Sequence, residues 1–568
     1  MFPLSISDRL LTPIPPHGLL SAVAATLGIL SHLTLFIRKE WHMVAPFLVW
    51  IYFCLALALF CIIHSFLPIP DIRTTLKYTS ALIISYCSGL FASIVIYRQH
   101  FHRLRCFPGP WAAATTKLWH VWKCRGGKNF LVMEELRQRY GPVVRTGPEE
   151  ITIIDPSSPL TLDGPRNNCE KAVWYDFLLP EIAVNTTRNK KHHDIRRRIW
   201  DRAFSSKAFD TYEKLAVEHA ETLISQISQL SEEGNAVVVT DWFYWYTFDV
   251  IGELAFAKSF NMLRDKKWHS AVKLLRRAMS LLGPFSPVPW LAQIAFHFIP
   301  WMHVIRDWFT MMRWCKQRMD ERIIASPLNR HFAQVNLEKF NKPDVSYWLI
   351  DASLKQGSLE ADRSWLNGDA IAIIIAGSDT VGSALVFAAY ELACNQKQQD
   401  ELFNELRNVD IYNQTQLQSC KYLNAVINET LRLHPPVPTG GYRQSPPAGL
   451  EINGIHIPGH VTIVSPRYSL GRLEFCYEQA DRWIPERWTT KPEMIKDIRG
   501  FSPFSQGRYN CVGKNLAMIE MRVVIAMLVR KFRIGFSGAD KGETLFSDLR
   551  DNFTAAPGKL QLQFHIRT

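Results

Sequence analysis

One cysteine in this sequence stands in a loop whose residue types favour a reactive sulfur. Residues 504–513 read FSQGRYNCVG, and apolar residues at helical spacing follow from Leu516 onward. Cys511 is therefore predicted to lie just before a helix N-terminus, whose partial positive charge favours thiolate over thiol. Gly507 and Gly513 would let a flat, bulky group approach the sulfur, because neither carries a Cβ. The alternative is a buried structural cysteine, the common fate of this residue.

A second pattern predicts a rigid cluster of ion pairs. Residues 424–434 read NAVINETLRLH and precede two prolines, which predicts a helix with Glu429 and Arg432 on one face. Such pairs are abundant on solvated helices and carry little meaning alone. The segment PERW at 485–488 adds Arg487 as a second guanidinium for the same carboxylate. Because arginine binds carboxylates in bidentate geometry, the three residues are predicted to form a structural triad.

A third pattern places polar residues inside an apolar helix. Residues 370–395 are predicted to be helical and are interrupted by AGSDT at 376–380. Burying Asp379 and Thr380 in such a run costs free energy, so we expect their polar groups to be hydrogen-bonded or functional. Gly377 would remove a side chain where a small ligand could press against the helix, and Thr380 could bond to a carbonyl one turn back or open a kink. The alternative, a Ser-Asp-Thr loop, is disfavoured by the apolar flanks.

Composition excludes several classes of protein. With 568 residues, 47% apolar and 21% charged, the chain is neither disordered nor collagen-like. Its 11 cysteines include no C-x-x-C pair, which argues against a disulfide scaffold, a zinc ribbon and a thioredoxin-like site. A balance of 65 basic to 52 acidic residues indicates an anionic neighbour, either lipid headgroups or an acidic protein. No nucleic-acid-binding motif is present, so nucleic acid is not predicted as a partner.

The N-terminal part is predicted to be a membrane region. Residues 1–106 contain up to three transmembrane helices, at about 18–37, 44–68 and 78–97, each long enough to cross a hydrocarbon layer. A signal peptide followed by buried helices is the alternative. The proline-rich segment FPGPW at 107–111 cannot continue a helix and is predicted to form a stiff elbow. Residues 107–568 would then form one large, mostly helical catalytic domain.

Flanking charges predict the orientation of this multi-pass region. If the C-terminal part is cytosolic, five basic residues lie on the cytosolic side and three on the other. The first set is Arg38, Lys39, Arg98, Arg103 and Arg105; the second is Arg9, Arg73 and Lys77.

Taken together, the motifs resemble a known family. AGSDT, ETLR, PERW and FSQGRYNCVG occur in the order found in cytochromes P450, the haem-thiolate monooxygenases, and the resemblance covers roughly residues 107–568. The segments FPGPW, YGPVVRTGP, TFDVIGELAF and RIWDRAFS are most similar to membrane-bound fungal members, many of which oxidise specialised metabolites. The resemblance implies a mainly α fold with a smaller β region, preceded by N-terminal transmembrane helices.

The resemblance also implies roles for individual residues. Cys511 would be the axial thiolate ligand of the iron of haem b. Asp379 and Thr380 would be the catalytic acid–alcohol pair that orders water and relays protons during oxygen activation. Glu429, Arg432 and Arg487 would form the structural staple behind the haem. The other implied cofactor-binding residues are His193, Arg197, Arg443, Phe504 and Gly507, the first three of them holding the haem propionates.

Two residues depart from the family pattern. Tyr509 stands two residues before the cysteine, where the family commonly has arginine, and Arg508 is displaced by one position. That contact with a propionate is therefore in doubt, and a tyrosine hydroxyl or another arginine would have to replace it. His193 stands where tryptophan is frequent, a change that keeps an N–H donor.

The remaining expectations concern electrons and substrate. No G-x-G-x-x-G fingerprint follows a strand pattern, so electrons are expected from another protein. The resemblance implies that this donor is NADPH–cytochrome P450 reductase in the same membrane, the endoplasmic reticulum, and the basic run 192–202 is a candidate docking face for it. A lipophilic small-molecule substrate is expected. The candidate pocket residues are Trp174, Ile373, Ala376, Val437, Thr439 and 554–556. The aromatic-rich segment 283–309 is either an access channel dipping into lipid or core.

Two other functions remain open from the sequence. One is a haem-thiolate isomerase or dehydratase that needs no reductase; Asp379 and Thr380 weigh against it. The other is a non-catalytic membrane haem-binding protein, which the scarcity of polar groups in the predicted spans disfavours as a carrier.

Overall fold

The computed structural model describes residues 17–38, 40–66, 71–165, 168–285, 287–325, 344–357 and 359–567. The α-helices are α1 His17–Ser31, α2 Ala45–Phe66, α3 Ile72–Ile96, α4 Trp111–Thr115, α5 Leu118–Lys123, α6 Asn129–Tyr140, α7 Ser158–Asp163, α8 Lys190–Ala203, α9 Ser206–Glu232, α10 Val239–Phe256, α11 Met262–Asp265, α12 Ser270–Met279, α13 Pro289–Phe298, α14 His303–Ile324, α15 Val345–Lys355, α16 Arg363–Cys394, α17 Gln396–Leu406, α18 Gln414–Ser419, α19 Lys421–Leu433, α20 Arg467–Leu470, α21 Lys514–Lys531 and α22 Glu543–Ser547.

The strands are short and form four small sheets. They are β1 Val143–Gly147, β2 Glu150–Ile153, β3 Glu170–Lys171, β4 Val237–Val238, β5 Tyr442–Gln444, β6 Leu450–Ile452, β7 Ile455–Ile457, β8 Thr462–Val464, β9 Phe532–Phe536, β10 Arg550–Asn552, β11 Thr554–Ala556 and β12 Gln561–Ile566. The largest sheet has the order β1-β2-β8-β5-β3, and a second has β4-β12-β9. The hairpins β6-β7 and β10-β11 complete the set. The prediction of a mainly α fold with a smaller β region is confirmed.

The core of the domain is helical. Helices α10, α16 and α21 are almost entirely buried, and α16 packs against both of the others. Four described helices are long and apolar enough to cross a membrane: Gly18–Phe36, Ala45–Phe66, Ile72–Phe101 and Arg363–Cys394. The last is α16, whose apolar surface is buried inside the domain, whereas the first three are mostly exposed. Their exposed apolar surface is compatible with membrane anchoring.

The third N-terminal helix begins earlier than the sequence predicts. It starts at Ile72 rather than near residue 78, because the Asp71 carboxylate accepts hydrogen bonds from the backbone N–H groups of Arg73 and Thr74. It continues beyond Ile96 through a π-helical turn to Phe101. Arg9, Lys39 and residues 67–68 of the predicted second span lie outside the described residues.

The three N-terminal helices pack into a bundle through small residues. A Cβ on Gly28 would lie 2.1 Å from the carbonyl oxygen of Tyr86, and one on Gly89 would lie 2.1 Å from that of Ala25. Glycines therefore allow the backbones of α1 and α3 to touch, as is common where lipid supplies no hydrophobic drive for association. Polar pairs reinforce the contact: Nδ1 of His32 lies 2.8 Å from Oγ of Ser93. The hydroxyls of Tyr52 on α2 and Tyr86 on α3 are also 2.8 Å apart.

We expect Gly89→Ile to destabilise this bundle, because its branched side chain would force α1 away from α3. Overpacking of this kind costs about 1–3 kcal/mol. The measurement is thermal unfolding of the full chain in lipid nanodiscs. The matched control is Gly18→Ile on α1, where an added Cβ meets no atom within 4 Å. Equal melting temperatures for the two variants would contradict the proposed packing.

Candidate functional site

Cys511 lies in a tightly closed loop between a short 3-10 helix, Gly507–Tyr509, and α21. Its backbone N–H donates to the carbonyl oxygen of Phe504 at 2.8 Å. Gly507 has φ of +56°, and a Cβ there would lie 2.1 Å from the carbonyl oxygen of Asp163. Glycine is thus needed so that the loop can fold over residues 163–165. The predicted position of the cysteine before a helix is confirmed.

Opposing influences act on the ionisation of the Cys511 thiol. Burial raises the pKa of its thiol, while the backbone N–H groups of Gly513 and Lys514 and the charges of Arg197 and Lys514 act in the opposite direction. The side chain is nevertheless exposed, although it is surrounded by the domain. The cysteines that pack as structural residues in the domain are buried: Cys124, Cys169, Cys315, Cys420 and Cys476. Cys511 therefore does not fill core space as these cysteines do, and we take its accessible side to face a candidate chamber inside the domain.

The middle of α16 also carries accessible residues, which we assign to the same candidate chamber. Ala376 is exposed and Thr380 is half-buried, although most residues on either side of them are buried. The Thr380 hydroxyl donates to the carbonyl oxygen of Ala376 at 2.8 Å, one of the two arrangements that the sequence allows. Segment 376–380 is helical, so the alternative of a loop is wrong.

Asp379 is buried beside this opening. One carboxylate oxygen accepts a hydrogen bond from the Thr554 hydroxyl at 3.2 Å, and the other has no partner among the described residues. Burial raises the pKa of Asp379, and the charge of Arg276 and the hydrogen bond from Thr554 offset part of that rise. A buried carboxyl with a free oxygen and a raised pKa can hold and release a proton.

Gly377 has a different role from the expected one. A Cβ at this position would lie 2.4 Å from Cδ1 of Ile251 on α10. The missing side chain therefore lets α16 pack closely on α10 and does not make room for a ligand.

Basic residues gather around Tyr509. The Tyr509 ring centroid lies 4.6 Å from the Arg443 guanidinium carbon and 5.1 Å from the Lys171 ammonium. The His193 ring meets it edge-on at 4.9 Å. Arg443 pairs with Asp163, Nε to Oδ1, at 2.6 Å. Burial, with the Lys171 charge, lowers the pKa of His193 to about 4, so that its imidazole is neutral at physiological pH.

Positive charge exceeds negative charge in this cluster. Asp163 is shared by Arg443 and Arg467, and no carboxylate among the described residues pairs with Lys171. Burial and the neighbouring Arg443 lower the pKa of Lys171 well below its usual value. A buried amine beside a guanidinium is unfavourable unless an anion joins them. The two propionates of a haem are anions of this kind, so the donor set fits that cofactor.

The three consecutive arginines of α8 have separate environments. Arg196 is buried and pairs with Asp369 at 2.6 Å, and Arg198 is exposed. Arg197 donates to the carbonyl oxygen of Asn510 at 2.7 Å and so ties α8 to the cysteine loop. Arg508, the displaced arginine, pairs with Asp194 near the surface. Tyr509, and not Arg508, therefore faces the basic cluster; burial raises the pKa of Tyr509 to about 12, which keeps its hydroxyl protonated.

The predicted triad assembles as an interior ion-pair cluster. Arg432 donates to both oxygens of Glu429, at 2.9 and 2.7 Å, and Nε of Arg487 donates to one of them at 2.9 Å. The Trp488 indole N–H and the Ile484 backbone N–H complete the shell. Although burial favours the neutral acid, the two arginines hold the pKa of Glu429 below its usual value. The arrangement has no accessible carboxylate, which suits a staple and not an acid–base catalyst.

The candidate pocket residues come together from distant segments. Trp174 is stacked between Tyr442 and Phe553, with centroid distances of 5.2 and 4.6 Å. The backbone N–H of Ala555 donates to the carbonyl oxygen of Pro436 at 2.8 Å, which joins β11 to the segment that carries Val437. Ile373 is buried on α16.

Thr439 is already committed to other protein groups. Its hydroxyl donates to Asp551 and accepts a hydrogen bond from the Asn129 amide at 3.0 Å. It therefore supports the wall and offers no free donor to a substrate.

Sequence reasoning missed Lys171, Asp163, Arg467 and Tyr175. The Tyr175 hydroxyl accepts from Arg443 at 3.3 Å. These residues belong to none of the recognisable motifs, and only the pairing of β3 with β5 brings Lys171 opposite Arg443. The one available signal was a lysine directly before the apolar run AVW.

The aromatic-rich segment 283–309 serves partly as core and partly as surface. Val288, Ala292, Ile305 and Trp308 are buried, whereas Trp290 and Trp301 are exposed. Helix α13 packs against α2, where the rings of Phe298 and Trp50 lie 5.6 Å apart. The segment thus lies next to the second N-terminal helix.

Comparisons with known proteins agree with this geometry. The sequence model of the family "Cytochrome P450" matches residues 108–564. Tryprostatin B 6-hydroxylase of Aspergillus fumigatus is 33% identical over 530 residues, covering 92% of each chain. Cytochrome P450 monooxygenase FCK2 of Fusarium pseudograminearum is 34% identical over 555 residues, covering 95% of this chain and 97% of that protein.

A solved structure shares the fold. The crystal structure of the cytochrome P450DA heme domain superposes with a TM-score of 0.65 and 17% identity, covering 81% of this chain and 98% of that one. Family membership implies haem with cysteine thiolate ligation, a redox partner and a small-molecule substrate. The chain belongs to the cytochrome P450 family and is similar throughout to fungal monooxygenases of secondary metabolism, which makes it a haem monooxygenase.

Proposed function

We propose that this chain hydroxylates, or similarly oxidises, a lipophilic small molecule of fungal secondary metabolism, with electrons from NADPH–cytochrome P450 reductase. The observation that carries the proposal is Cys511: an accessible sulfur just before α21 that accepts hydrogen bonds from the backbone N–H groups of Gly513 and Lys514 and lies near the charges of Arg197 and Lys514. One relative is named a tryprostatin B 6-hydroxylase, and hydroxylation is accordingly the reaction we favour.

Haem, when bound, supplies oxygen activation, and the chain supplies its ligand and its setting. Cys511 would be the ligand of the iron. Lys171, Arg443 and Tyr509 would hold the propionates, with His193 as a neutral donor. Phe504 and Gly507 shape the cysteine loop, and Arg197 fixes it to α8. The triad of Glu429, Arg432 and Arg487 would stabilise the fold behind the cofactor.

Asp379 and Thr380 would deliver protons to the reacting oxygen. Thr380 faces the chamber, and the adjacent Asp379 keeps one oxygen free. Burial raises the pKa of Asp379, so its carboxyl would take up a proton more readily than an exposed one and could pass it on. This arrangement supports a monooxygenase over an isomerase or dehydratase, which has less need of proton delivery.

The chamber walls favour an apolar substrate. Trp174, Ile373, Ala376, Val437 and 554–556 contribute mainly carbon surface, and the hydroxyls of Thr439 and Thr554 are bonded to protein carboxylates. The substrate would therefore be oriented by the shape of the chamber more than by polar contacts with its walls.

We place residues 1–106 in the membrane as three spans and residues 107–568 in the cytosol, at the endoplasmic reticulum. Glu40 and His42, between α1 and α2, contact Arg188 and Asp176 of the domain. The first inter-helix loop and the domain must then lie on the same side of the membrane. That arrangement agrees with the orientation that the flanking charges indicate.

The reductase would dock on α8. Lys191, His192, Arg198 and Arg202 are exposed on this helix, and Arg197 on the same helix contacts the cysteine loop. A basic face this close to the sulfur suits an acidic electron donor.

Cys511→Ser tests the proposed thiolate ligand, on which the rest of the proposed function depends. We expect the red-shifted absorption of the reduced carbon monoxide complex, which reports thiolate ligation, to disappear together with all oxidation. The control is Cys106→Ser, at an exposed cysteine of the segment before the elbow. If Cys511→Ser keeps both the spectrum and the activity, the proposed function is wrong.

Asp379→Asn tests proton delivery. We expect product formation to fall by about 100-fold or more, whereas NADPH consumption continues because electron supply does not need this carboxyl. The substrate is the compound that microsomes with the unmodified protein consume from an extract of a deletion strain. Thr554→Val, which leaves the carboxyl and removes its hydrogen bond, should have a smaller effect. Undiminished product formation by Asp379→Asn would exclude the role.

Arg198→Glu with Arg202→Glu tests the docking surface. We expect the concentration of reductase that gives half-maximal turnover to rise by about tenfold, with reduction by dithionite unchanged. Arg264→Glu, at an exposed arginine on α11, is the control. Reductase-supported turnover that the double charge reversal leaves intact would remove α8 as the docking site.

A further inference from the structure

We propose that Glu40, in the loop between the first two N-terminal helices, is a positioning residue for the substrate chamber, acting through Arg188 and Asp176 on the 3-10 helix Val173–Leu178. The inference rests on the proposed function for the identity of the chamber. The contacts themselves are independent of it. Glu40, Arg188, Asp176 and His42 are called the latch below.

The latch is a compact set of charge-assisted hydrogen bonds. Arg188 donates to both oxygens of Glu40, each at 2.9 Å, and to Oδ2 of Asp176 at 2.8 Å. Nε2 of His42 lies 2.9 Å from the same oxygen of Asp176. Asp176, Arg188 and His42 are largely shielded from water, which strengthens such pairs relative to exposed ones. The N-terminal region is therefore fastened to the domain by directed bonds.

The same side chains offer a carboxylate pair and an imidazole, which are also metal-ligand types. Arg188 already occupies the position between the two carboxylates and donates to both of them. A metal ion would have to displace a guanidinium that makes three short hydrogen bonds. The geometry is that of an ionic latch.

A displacement of Asp176 would reach the chamber because Asp176 lies on the same short 3-10 helix as Trp174, Tyr175 and Phe177. These four consecutive residues contact four different parts of the structure. Trp174 stacks between Tyr442 and Phe553 in the chamber wall. Tyr175 accepts from Arg443. Phe177 packs edge-on against Phe296 and Trp308. A helix of six residues moves as a unit, so a displacement of Asp176 displaces Trp174.

Arg188 also reaches the strands that carry the basic cluster. Its Nε donates to the carbonyl oxygen of Lys171 on β3 at 3.2 Å, and Nη2 lies 3.4 Å from the Gln444 side chain on β5. These strands pair Glu170 with Gln444 and Lys171 with Arg443. Glu40 thus holds Arg188, and Arg188 in turn contacts the two strands that carry Lys171 and Arg443 of the proposed propionate-binding cluster.

An apolar contact runs parallel to the latch. Trp50 of α2 packs against Phe298 of α13, and Phe296 of the same helix packs on Phe177. The helix pair α1–α2 therefore reaches segment 173–178 by two routes, one ionic and one aromatic. The N-terminal helices form part of the support of the chamber as well as a membrane anchor.

The test is Glu40→Gln in the full chain in lipid nanodiscs. We expect hydrogen–deuterium exchange of the amides of 172–178 to become about fivefold faster, because Arg188 loses one of its two carboxylate partners and keeps only Asp176. Binding of clotrimazole, an azole probe of the chamber, should weaken by a similar factor. Glu40→Asp, which keeps the carboxylate, should restore part of both effects.

The matched control is Glu149→Gln. Glu149 pairs with His102 and Arg103 just after the third N-terminal helix, at 2.7 and 2.8 Å, and has no contact with 173–178. If Glu40→Gln changes the exchange of 172–178 no more than Glu149→Gln does, the latch does not position the chamber. The exchange measurement does not depend on haem ligation, so a failed carbon monoxide spectrum in the unmodified protein would count against the proposed function and not against the latch.

Discussion

The proposed haem site depends on one electrostatic constraint: the Cys511 sulfur would have to be stabilised as an anion inside the domain. Burial alone works against the thiolate, so N–H groups and cations must be placed around it. The start of α21 supplies the N–H groups, and it can reach the sulfur only if the preceding loop folds tightly over 163–165. Gly507 makes that fold possible, since its positive φ and close approach to Asp163 exclude a side chain. The requirement to stabilise the Cys511 sulfur as an anion would thereby constrain the backbone of the whole loop before α21.

A single carboxylate links this loop to the basic cluster. Asp163 accepts from Ser505 of the cysteine loop and pairs with both Arg443 and Arg467. One negative charge organises two guanidiniums but does not neutralise them, and Lys171, whose pKa is lowered by burial and by the nearby Arg443, has no carboxylate partner among the described residues. The excess of positive charge, which in the proposed site would bind the propionates, and the geometry of the cysteine loop therefore both depend on Asp163. In the proposed site, Lys171 and Arg443, which both lie over the Tyr509 ring, would take the place of the usual arginine.

The sequence predicted what depends on neighbouring residues and missed what depends on strand pairing. The loop before α21, the hydrogen bond from Thr380 and the triad around Glu429 follow from short motifs with local geometry, and the structure has all three. Lys171 meets Arg443 only because β3 pairs with β5, far apart in the chain. The packing role of Gly377 likewise depends on α10, the helix that it packs against. The spacing of apolar residues in α16 does not show which helix that is.

The N-terminal helices make directed contacts with the domain that follows them. The elbow after them is fixed to the domain, since the backbone N–H of Arg145 donates to the Pro108 carbonyl at 2.7 Å. Under the proposed function, a lipophilic substrate would concentrate in lipid, so the direction in which the chamber meets the membrane would affect how often substrate arrives. A flexible tether would leave that direction undefined. Here the elbow, the latch and the contact between Trp50 and Phe298 each restrict it, and three separated contacts are enough to fix the orientation of one rigid body on another.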